Sequence, residues 1–420
     1  MESSTKRLRI LRSHLSACNT TAGLMVASDK SPEDVVVVSF ARTALCKATK
    51  GSFKDTAVEL MLSHVLKSVV TESGVDPKEI EDITVGNCLQ PGAGATTSRM
   101  AQFLAGIPET TALCAINRQC SSGLQAVMSI ANAIRAGQID IGIGAGVESM
   151  SHFDFSTAFN PPHLSKQVAT CKDAKNCQIP MGITSENVAE RFSVSREEQD
   201  AFAASSQAKA VAAQENGDLQ KEITPLEVTV YDKEGNEKTL TAGKDEGVRK
   251  TNAEKLGKLK PVFKKGGSTT AGNSSQLTDG AAAVLLAKRS TAEKLGLPIK
   301  GRVLGYSVVG VDPEIMGIGP AVAIPKALKK SGLDIHDIDV YEINEAFASQ
   351  ALYSVKQLGI PEEKVNPRGG AIALGHPLGA TGARQIVTLF NELEKIDKKY
   401  GVVSMCIGTG MGAAGVFERE

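Results

Sequence analysis

The chain repeats part of its own sequence about 255 residues apart. Ser-Gly-Val-Asp at 73–76 is followed three residues later by Ile-Glu-Asp-Ile-Thr-Val, and Ser-Gly-Leu-Asp at 331–334 is followed directly by Ile-His-Asp-Ile-Asp-Val. At nearly the same offset, Cys120 and His376 each stand before a helix with apolar periodicity. We therefore predict two homologous halves packed as one body, with residues 120 and 376 as structural counterparts.

Short apolar runs alternate with longer helical patterns in both halves, which predicts an α/β fold with buried sheets. The predicted strands are 34–39, 83–86, 139–144, 340–343 and 402–406. The clearest predicted helices are 122–136, 186–216 and about 379–395.

A polar, charged stretch from about 150 to 270 separates the halves and predicts an inserted loop domain. The predicted organisation is an N-terminal targeting segment (1–30), a first half (31–290) that includes this loop domain, and a second half (291–420). A basic run from Lys250 to Lys265 fits either a phosphorylated ligand or, since acidic residues lie nearby, an ordinary solvated surface, which we favour.

Composition excludes several classes of function. The 47 basic and 47 acidic side chains give a formal net charge of zero, so no attraction to nucleic acid or anionic lipid is expected. No apolar run reaches the roughly 18 residues of a membrane span, so no integral membrane segment is expected. The eight cysteines lack paired C-x2-C spacing, which predicts reduced thiols and no metal site.

The first 30 residues are basic and rich in Ser and Thr. Arg7-Leu8, five further residues and His14-Leu15 look like the N-terminal type of peroxisomal import signal, which predicts a peroxisomal location and an import receptor as a partner. Leu8, Leu11 and Leu15 would also share one face of a basic helix, as in a mitochondrial presequence, the lesser alternative. A disordered basic tail is the third interpretation.

Cys120 stands in Asn-Arg-Gln-Cys-Ser-Ser-Gly, directly before a strong helix. The positive end of the helix dipole would lower the pKa of its thiol from about 8.5 towards neutrality and favour the nucleophilic thiolate. A small buried residue that closes a tight turn is the equal alternative.

Two further residues could act with this thiol. His376, in a glycine-dense turn, is a candidate general base for Cys120, or else a hydrogen-bonded structural histidine. Cys406 ends an apolar run before a Gly-rich turn, where α/β sheets place their sites. Two cysteines and a histidine suit a reaction in which one sulfur carries an acyl group while the other moves protons.

Polar groups near these residues could hold an oxyanion or a water. Asn344 follows a predicted strand and precedes a helix, so it is either a helix N-cap or an amide that orders a water or donates to an oxyanion. The backbone N–H of Gly408 could form an oxyanion hole, although its glycines also fit a plain turn.

Five motifs together resemble the thiolase family, in its order and spacing, from about residue 35 to the C-terminus. They are Asn-Arg-Gln-Cys-Ser-Ser-Gly at Cys120, Gly-Val-Glu-Ser-Met at Glu148, Asn-Glu-Ala-Phe at Asn344, Gly-His-Pro-Leu-Gly at His376 and Cys-Ile-Gly-Thr-Gly at Cys406. The resemblance implies a five-layered αβαβα fold of two core halves with a loop domain inserted in the first. It also implies a homodimer or a dimer of dimers, and CoA as a substrate, with no other cofactor and no metal.

The resemblance further implies a role for each site residue. Cys120 would be acylated when 3-ketoacyl-CoA is cleaved, His376 would activate it, and Cys406 would protonate the departing acetyl-CoA enolate. Asn344 would order a water that forms one oxyanion hole with His376, and the backbone amides of Cys120 and Gly408 would form the second. Ser275 would contact the pantetheine of CoA, and Met181 would line the substrate site.

One position departs from part of the family. Short-chain acetoacetyl-CoA enzymes have a His just before the Met-Gly of the loop domain, whereas this chain has Pro180. That difference favours the degradative branch, which acts in fatty acid β-oxidation over many chain lengths. The alternatives are a biosynthetic acetoacetyl-CoA thiolase, a decarboxylating ketoacyl synthase and a catalytically silent homologue that binds acyl-CoA.

Overall fold

A computed structural model describes residues 30–158 and 163–420 of the chain. The motif Arg7-Leu8…His14-Leu15 lies outside these residues. Up to the end of the inserted segment, the elements are β1 (Val35–Arg42), β2 (Cys46–Lys47), α1 (Val58–Ser73), β3 (Asp82–Gly86), α2 (Ala95–Leu104), β4 (Ala112–Ile116), α3 (Ser122–Arg135), β5 (Ile141–Glu148), α4 (Lys172–Asn176), α5 (Met181–Arg191), α6 (Arg196–Glu215), α7 (Asp218–Glu222), β6 (Leu226–Tyr231), β7 (Glu237–Ala242) and α8 (Ala253–Gly257).

The remaining elements complete the first half and build the second. They are β8 (Thr278–Lys288), α9 (Arg289–Leu295), β9 (Gly301–Gly310), α10 (Gly319–Ser331), β10 (Val340–Ile343), α11 (Ala348–Leu358), α12 (Ala371–Leu374), α13 (Thr381–Lys395), β11 (Tyr400–Ile407) and β12 (Met411–Arg419).

The two halves have the same strand topology. In the first, the order is β4-β3-β5-β8-β1, with β4, β3 and β5 parallel and β8 antiparallel to its neighbours. In the second, the order is β10-β11-β12-β9, with β10 and β11 parallel, and a parallel bridge from Tyr341 to Val365 takes the place that β4 has in the first half. The two sheets join where β1 pairs with β9 over two residues.

The two sheets and three layers of helices together form five layers. Helices α1 and α2 pack on the outer face of the first sheet, α10 and α11 on the outer face of the second, and α3 and α13 between the sheets. Along β1, Val36 and Val38 join the outer core whereas Val35 and Val37 join the central one, because successive side chains of a strand point to opposite faces. The αβαβα prediction is confirmed.

The two central helices touch at their N-terminal ends. A Cβ atom at Gly382 of α13 would overlap the backbone of Leu124 in α3, and one at Gly123 would lie 2.6 Å from the carbonyl oxygen of Gly379. Only glycine permits backbones to approach this closely. The contact brings together the segments before α3 and α13, which contain Cys120 and His376, so the predicted counterparts meet.

The predicted elements differ from the observed ones at several points. The five predicted strands are present: 340–343 matches β10 at both ends, and the other four have shifted ends. The helix predicted over 186–216 is two helices, α5 and α6, because Ser195 begins a new one with a capping box to Glu198. Strands β2, β4, β6, β7, β8, β9 and β12 were missed, and the Ala-rich sequence of β8 lacks a strand periodicity.

The inserted segment between β5 and β8 carries α4 to α8 and a two-stranded sheet of β6 and β7. The boundaries at 30, 150, 270 and 290 stay predictions. Within residues 30–158 and 163–420, no helix is long and apolar enough to cross a bilayer.

The contact between the central helices predicts an asymmetry between two glycine substitutions. Gly382→Ala should lower the free energy of unfolding by about 1–3 kcal/mol, because the added methyl meets backbone that has little room to move. The matched control is Gly310→Ala, since a Cβ at Gly310 has no atom within 4 Å. Urea denaturation of both variants checks this, and equal midpoints would contradict the proposed steric limit.

Candidate active site

The predicted site residues converge at the carboxyl ends of corresponding strands in the two halves. Cys120 follows β4, Asn344 follows β10, Cys406 lies near the end of β11, and His376 lies between α12 and α13. In α/β sheets this edge is where sites form. The central helices hold these two edges together. Cys120 and Cys406, which are 286 positions apart in the sequence, are therefore close enough to interact electrostatically.

Cys120 is held in a tight turn. The preceding residue, Gln119, has φ of +48°, a left-handed conformation that few residues other than glycine adopt. Residue Cys120 is 8% exposed, and the backbone N–H groups of Gly408 and of Cys120 itself favour its thiolate. The two amides predicted to form an oxyanion hole therefore both lie near the sulfur.

The pKa of the Cys120 thiol is raised, whereas the sequence predicted that it would be lowered. Burial raises it to about 11, against the opposing effect of the two N–H donors. Desolvation disfavours the charged form of a buried group, and here it outweighs the helix N-terminus. The predicted fall towards neutrality is wrong for the free protein, whose Cys120 is a neutral thiol at neutral pH.

His376 is fixed as a neutral imidazole in one tautomer. Its Nδ1 lies 2.6 Å from the hydroxyl oxygen of Thr381, which donates its own proton to the carbonyl oxygen of Pro377 at 3.1 Å. The hydroxyl therefore accepts from Nδ1–H and leaves the lone pair on Nε2. Burial, with the charge of Arg384, lowers the pKa of His376 to about 3.

Asn344 does not cap a helix. The helix that follows, α11, begins at Ala348 with Phe347 as its N-cap residue, so the N-cap alternative is wrong. The Asn344 side chain instead faces the site, with Nδ2 3.3 Å from Nε2 of His376. Its buried Oδ1 has no hydrogen-bond partner within the described chain, which leaves an acceptor free for a water or a substrate group.

Cys406 is completely buried beside the other site residues. Its sulfur lies 2.9 Å from Oε1 of Gln350, to which the thiol donates. Met316, Phe347 and Met181 pack around it. Burial, followed by the neighbouring Cys120, raises the pKa of the Cys406 thiol well above its usual value, so this group too holds its proton at rest.

An apolar cavity of about 680 Å³ opens onto Cys120 and His376. Met181 and Ser275 also line it, whereas Asn344, Cys406 and Gly408 are not among its lining residues. The backbone N–H of Ser275 donates to the carbonyl oxygen of Ala346 at 2.9 Å. The wall is otherwise largely hydrophobic, with Met150, Phe155, Pro180, Val262, Phe263, Leu277, Met316, Phe347 and Leu378. A long apolar ligand ending at Cys120 suits this space.

Glu148 ties the two halves together beneath the site. Its carboxylate accepts from the backbone N–H groups of Cys88 at 3.0 Å, Leu89 at 3.2 Å and Gly379 at 2.9 Å. The first two follow β3, whereas Gly379 belongs to the turn after His376. Burial raises the pKa of Glu148 to about 7.

Three of the six lysines in the basic run of the inserted segment form ion pairs. Lys250, Lys258 and Lys264 form ion pairs with Glu215, Glu254 and Glu190 respectively. These exposed pairs support the interpretation as a solvated surface. Across residues 30–158 and 163–420, no group of three or more His, Cys, Asp or Glu side chains could hold a metal ion.

Sequence reasoning missed Thr381 and Gln350. Neither has a signature of its own: Thr381 begins α13 five residues after His376, and Gln350 lies within a helix, 56 residues before Cys406. Only the folded chain shows that each contacts a site residue.

The fold and this site define a class of protein. The Thiolase, N-terminal domain family matches residues 35–290 and the Thiolase, C-terminal domain family matches residues 297–419. The chain belongs to the thiolase family.

Particular relatives are similar over almost their whole length. The rat (Rattus norvegicus) peroxisomal 3-ketoacyl-CoA thiolase B is 59% identical over 421 residues, which cover 98% of this chain and 99% of the relative. The human (Homo sapiens) peroxisomal 3-ketoacyl-CoA thiolase is 60% identical over 394 residues, 93% of this chain and 92% of the relative. The crystal structure of the dimeric peroxisomal thiolase of Saccharomyces cerevisiae superposes with a TM-score of 0.86 at 50% identity and covers 93% of this chain and 99% of that one.

The raised pKa of Cys120 predicts that its thiol ionises only at alkaline pH. Thiolate absorbance at 240 nm, taken as the wild type minus Cys120→Ser, should be negligible at pH 7 and still rising at pH 10. The sign follows because burial disfavours the thiolate and so moves its pKa upwards. A difference that is complete by pH 7 would instead indicate a thiolate–imidazolium pair with His376.

Proposed function

We propose that the chain is a 3-ketoacyl-CoA thiolase, an acyltransferase that uses CoA to cleave 3-ketoacyl-CoA into acetyl-CoA and an acyl-CoA shortened by two carbons. The observation that carries this function is that Cys120 and His376 line one apolar cavity, with Cys406 buried beside Cys120. The names and high identity of the relatives support the same reaction.

The first step joins Cys120 to the substrate. The sulfur of Cys120 attacks the 3-keto carbon while its proton passes to Nε2 of His376, whose lone pair is available because Nδ1–H is held by Thr381. The backbone N–H groups of Cys120 and Gly408, which lie near the sulfur and favour negative charge there, would stabilise the developing oxyanion.

Collapse of this adduct breaks the bond between carbons 2 and 3. It leaves an acyl group on Cys120 and the enolate of acetyl-CoA, whose oxygen would be held by protonated His376 and by a water ordered by Asn344. Cys406 gives its proton to carbon 2 of the enolate, and acetyl-CoA leaves. A buried thiol that keeps its proton at rest suits this role.

The second step releases the shortened acyl group. Cys406, now a thiolate, takes the proton of the incoming CoA thiol, and the CoA sulfur attacks the acyl carbonyl on Cys120. The Cys120–acyl bond breaks, and His376 returns the proton to Cys120. Both cysteines and the histidine end as they began, so the proposed cycle requires no metal and no redox cofactor.

The pocket supports substrates longer than the four-carbon acetoacetyl group. Pro180 and hydrophobic side chains line its wall, and Met181 and Ser275 would contact the acyl chain or the pantetheine of CoA. A biosynthetic acetoacetyl-CoA thiolase, which would use the same catalytic residues, is the alternative that substrate range separates.

We propose a homodimer formed through the edge of the first sheet. Strand β4 ends the sheet order, and its outer edge has no partner strand among the described residues. Met100 and Phe103 of the neighbouring helix α2 are 52% and 49% exposed. An open strand edge beside exposed apolar side chains is typical of a surface that binds another chain. The similar yeast thiolase is dimeric.

We also propose that the protein works in the peroxisome. The N-terminal motif Arg7-Leu8…His14-Leu15 has the form of an import signal, and the similar rat and human relatives carry the word peroxisomal in their names. An import receptor that reads this motif would be the partner. Degradation of fatty acids by β-oxidation fits that compartment.

Cleavage of a 3-ketoacyl-CoA series from C4 to C16 tests the activity. Long-chain substrates should react as well as or better than the C4 substrate, because each CH₂ buried in the apolar cavity contributes about 0.8 kcal/mol of binding free energy. Cys120→Ala should lose all turnover while keeping its fold and oligomeric state. Activity restricted to the C4 substrate would indicate a biosynthetic acetoacetyl-CoA thiolase instead.

Import of the full-length protein tests the location. Arg7→Ala combined with Leu8→Ala should leave thiolysis unchanged, since both substitutions precede the first β-strand. The variant protein should remain in the cytosol. Fluorescence microscopy beside a peroxisomal marker gives the readout. Continued import of this variant would rule out the motif as the targeting signal.

A further inference from the structure

Gln350 joins two of the proposed catalytic residues through its side-chain amide. It lies near the start of α11 and is completely buried. Its Oε1 accepts from the thiol of Cys406 at 2.9 Å, and its Nε2 donates to the backbone carbonyl oxygen of Asn344 at 3.2 Å. Both ends of the amide are therefore occupied by groups of the site.

The partners fix which way the amide points. A backbone carbonyl can only accept, so the amide nitrogen must face Asn344 and the amide oxygen must face Cys406. An amide oxygen can only accept, so the sulfur beside it must donate a proton. This arrangement favours Cys406 as a thiol and disfavours its thiolate, which would face the oxygen lone pairs.

The surroundings leave the amide little freedom. A Cβ at Gly317 would lie 2.6 Å from Cβ of Gln350, so backbone covers the side chain on that side. The apolar neighbours of Cys406 include Met316, Ala346, Phe347 and Met181, and the charge that acts on its sulfur comes from Cys120.

We propose that Gln350 is the positioning residue that keeps Cys406 protonated and oriented for proton transfer to and from carbon 2 of the acetyl unit. The inference rests on the proposed function, because it assigns a supporting residue to the proton donor of that reaction. Gln350 acts through Cys406, and among the described residues its amide hydrogen-bonds to neither Cys120 nor His376. Alkylation of Cys120, which needs no proton from Cys406, should therefore not depend on it.

Two reactions of the purified enzyme separate these steps. Exchange of the acetyl-CoA methyl protons in D₂O, followed by NMR, reports proton transfer by Cys406. Alkylation of Cys120 by iodoacetamide, followed by peptide mass, reports the nucleophile, because this reaction has no CoA leaving group for Cys406 to protonate. Gln350→Met, which keeps the length and apolar packing but removes the acceptor, should slow exchange by about tenfold or more and leave the alkylation rate of Cys120 within about twofold.

The pH profile distinguishes positioning from a merely structural role. Without an acceptor for the thiol proton, Gln350→Met should shift the alkaline limb of enolate protonation to lower pH. Gln350→Glu keeps an acceptor and adds negative charge beside the sulfur, so it should shift the same limb to higher pH. Opposite shifts of the two variants support the inference.

The matched control is Ser354→Ala, one turn along α11, whose hydroxyl donates to the backbone carbonyl oxygen of Gln350 and does not contact Cys406. It should keep both exchange and alkylation of Cys120. The inference is overturned if exchange and alkylation of Cys120 fall together in the Gln350 variants, if neither changes, or if the alkaline limb does not move. An inactive wild type would instead overturn the proposed function itself.

Discussion

The close approach of α3 and α13 is the contact on which the site depends. Gly123 and Gly382 let the N-terminal ends of these helices meet with backbone against backbone. Since Cys120 and His376 stand before those helices, the same contact that closes the central layer also assembles the nucleophile and its base. The carboxylate of Glu148 reinforces it by accepting N–H groups from both halves.

Burial then decides the charge state of the site. Cys120, Cys406 and His376 all lie in a low-dielectric interior, where each loses more by desolvation than it gains from its neighbours. The free site is consequently neutral, with protons on both thiols and a lone pair on Nε2 of His376. Thr381 accepts a hydrogen bond from Nδ1–H of His376, and Gln350 accepts one from the thiol of Cys406. The charges that the reaction needs therefore form only when substrate is bound.

The pseudo-symmetry explains why two similar halves perform different tasks. Each half places functional groups at the carboxyl ends of corresponding strands. The first half supplies the sulfur that would carry the acyl group, and the second supplies Asn344, His376 and Cys406, which would move protons and hold oxygens. The repeat provides a common frame, and the side chains at equivalent positions have diverged in chemistry.

The sequence by itself determined the two related halves, the α/β layers, five strands and the residues to examine, because repeats, apolar periodicity and unusual polar residues beside glycines are local signals. It misjudged the pKa of Cys120, left Asn344 open between two interpretations, merged α5 with α6 and gave no sign of Thr381 or Gln350. Those features were decided by the tertiary structure alone. A pKa depends on burial and a hydrogen-bond partner on proximity, and both arise only when segments far apart in the chain are packed together.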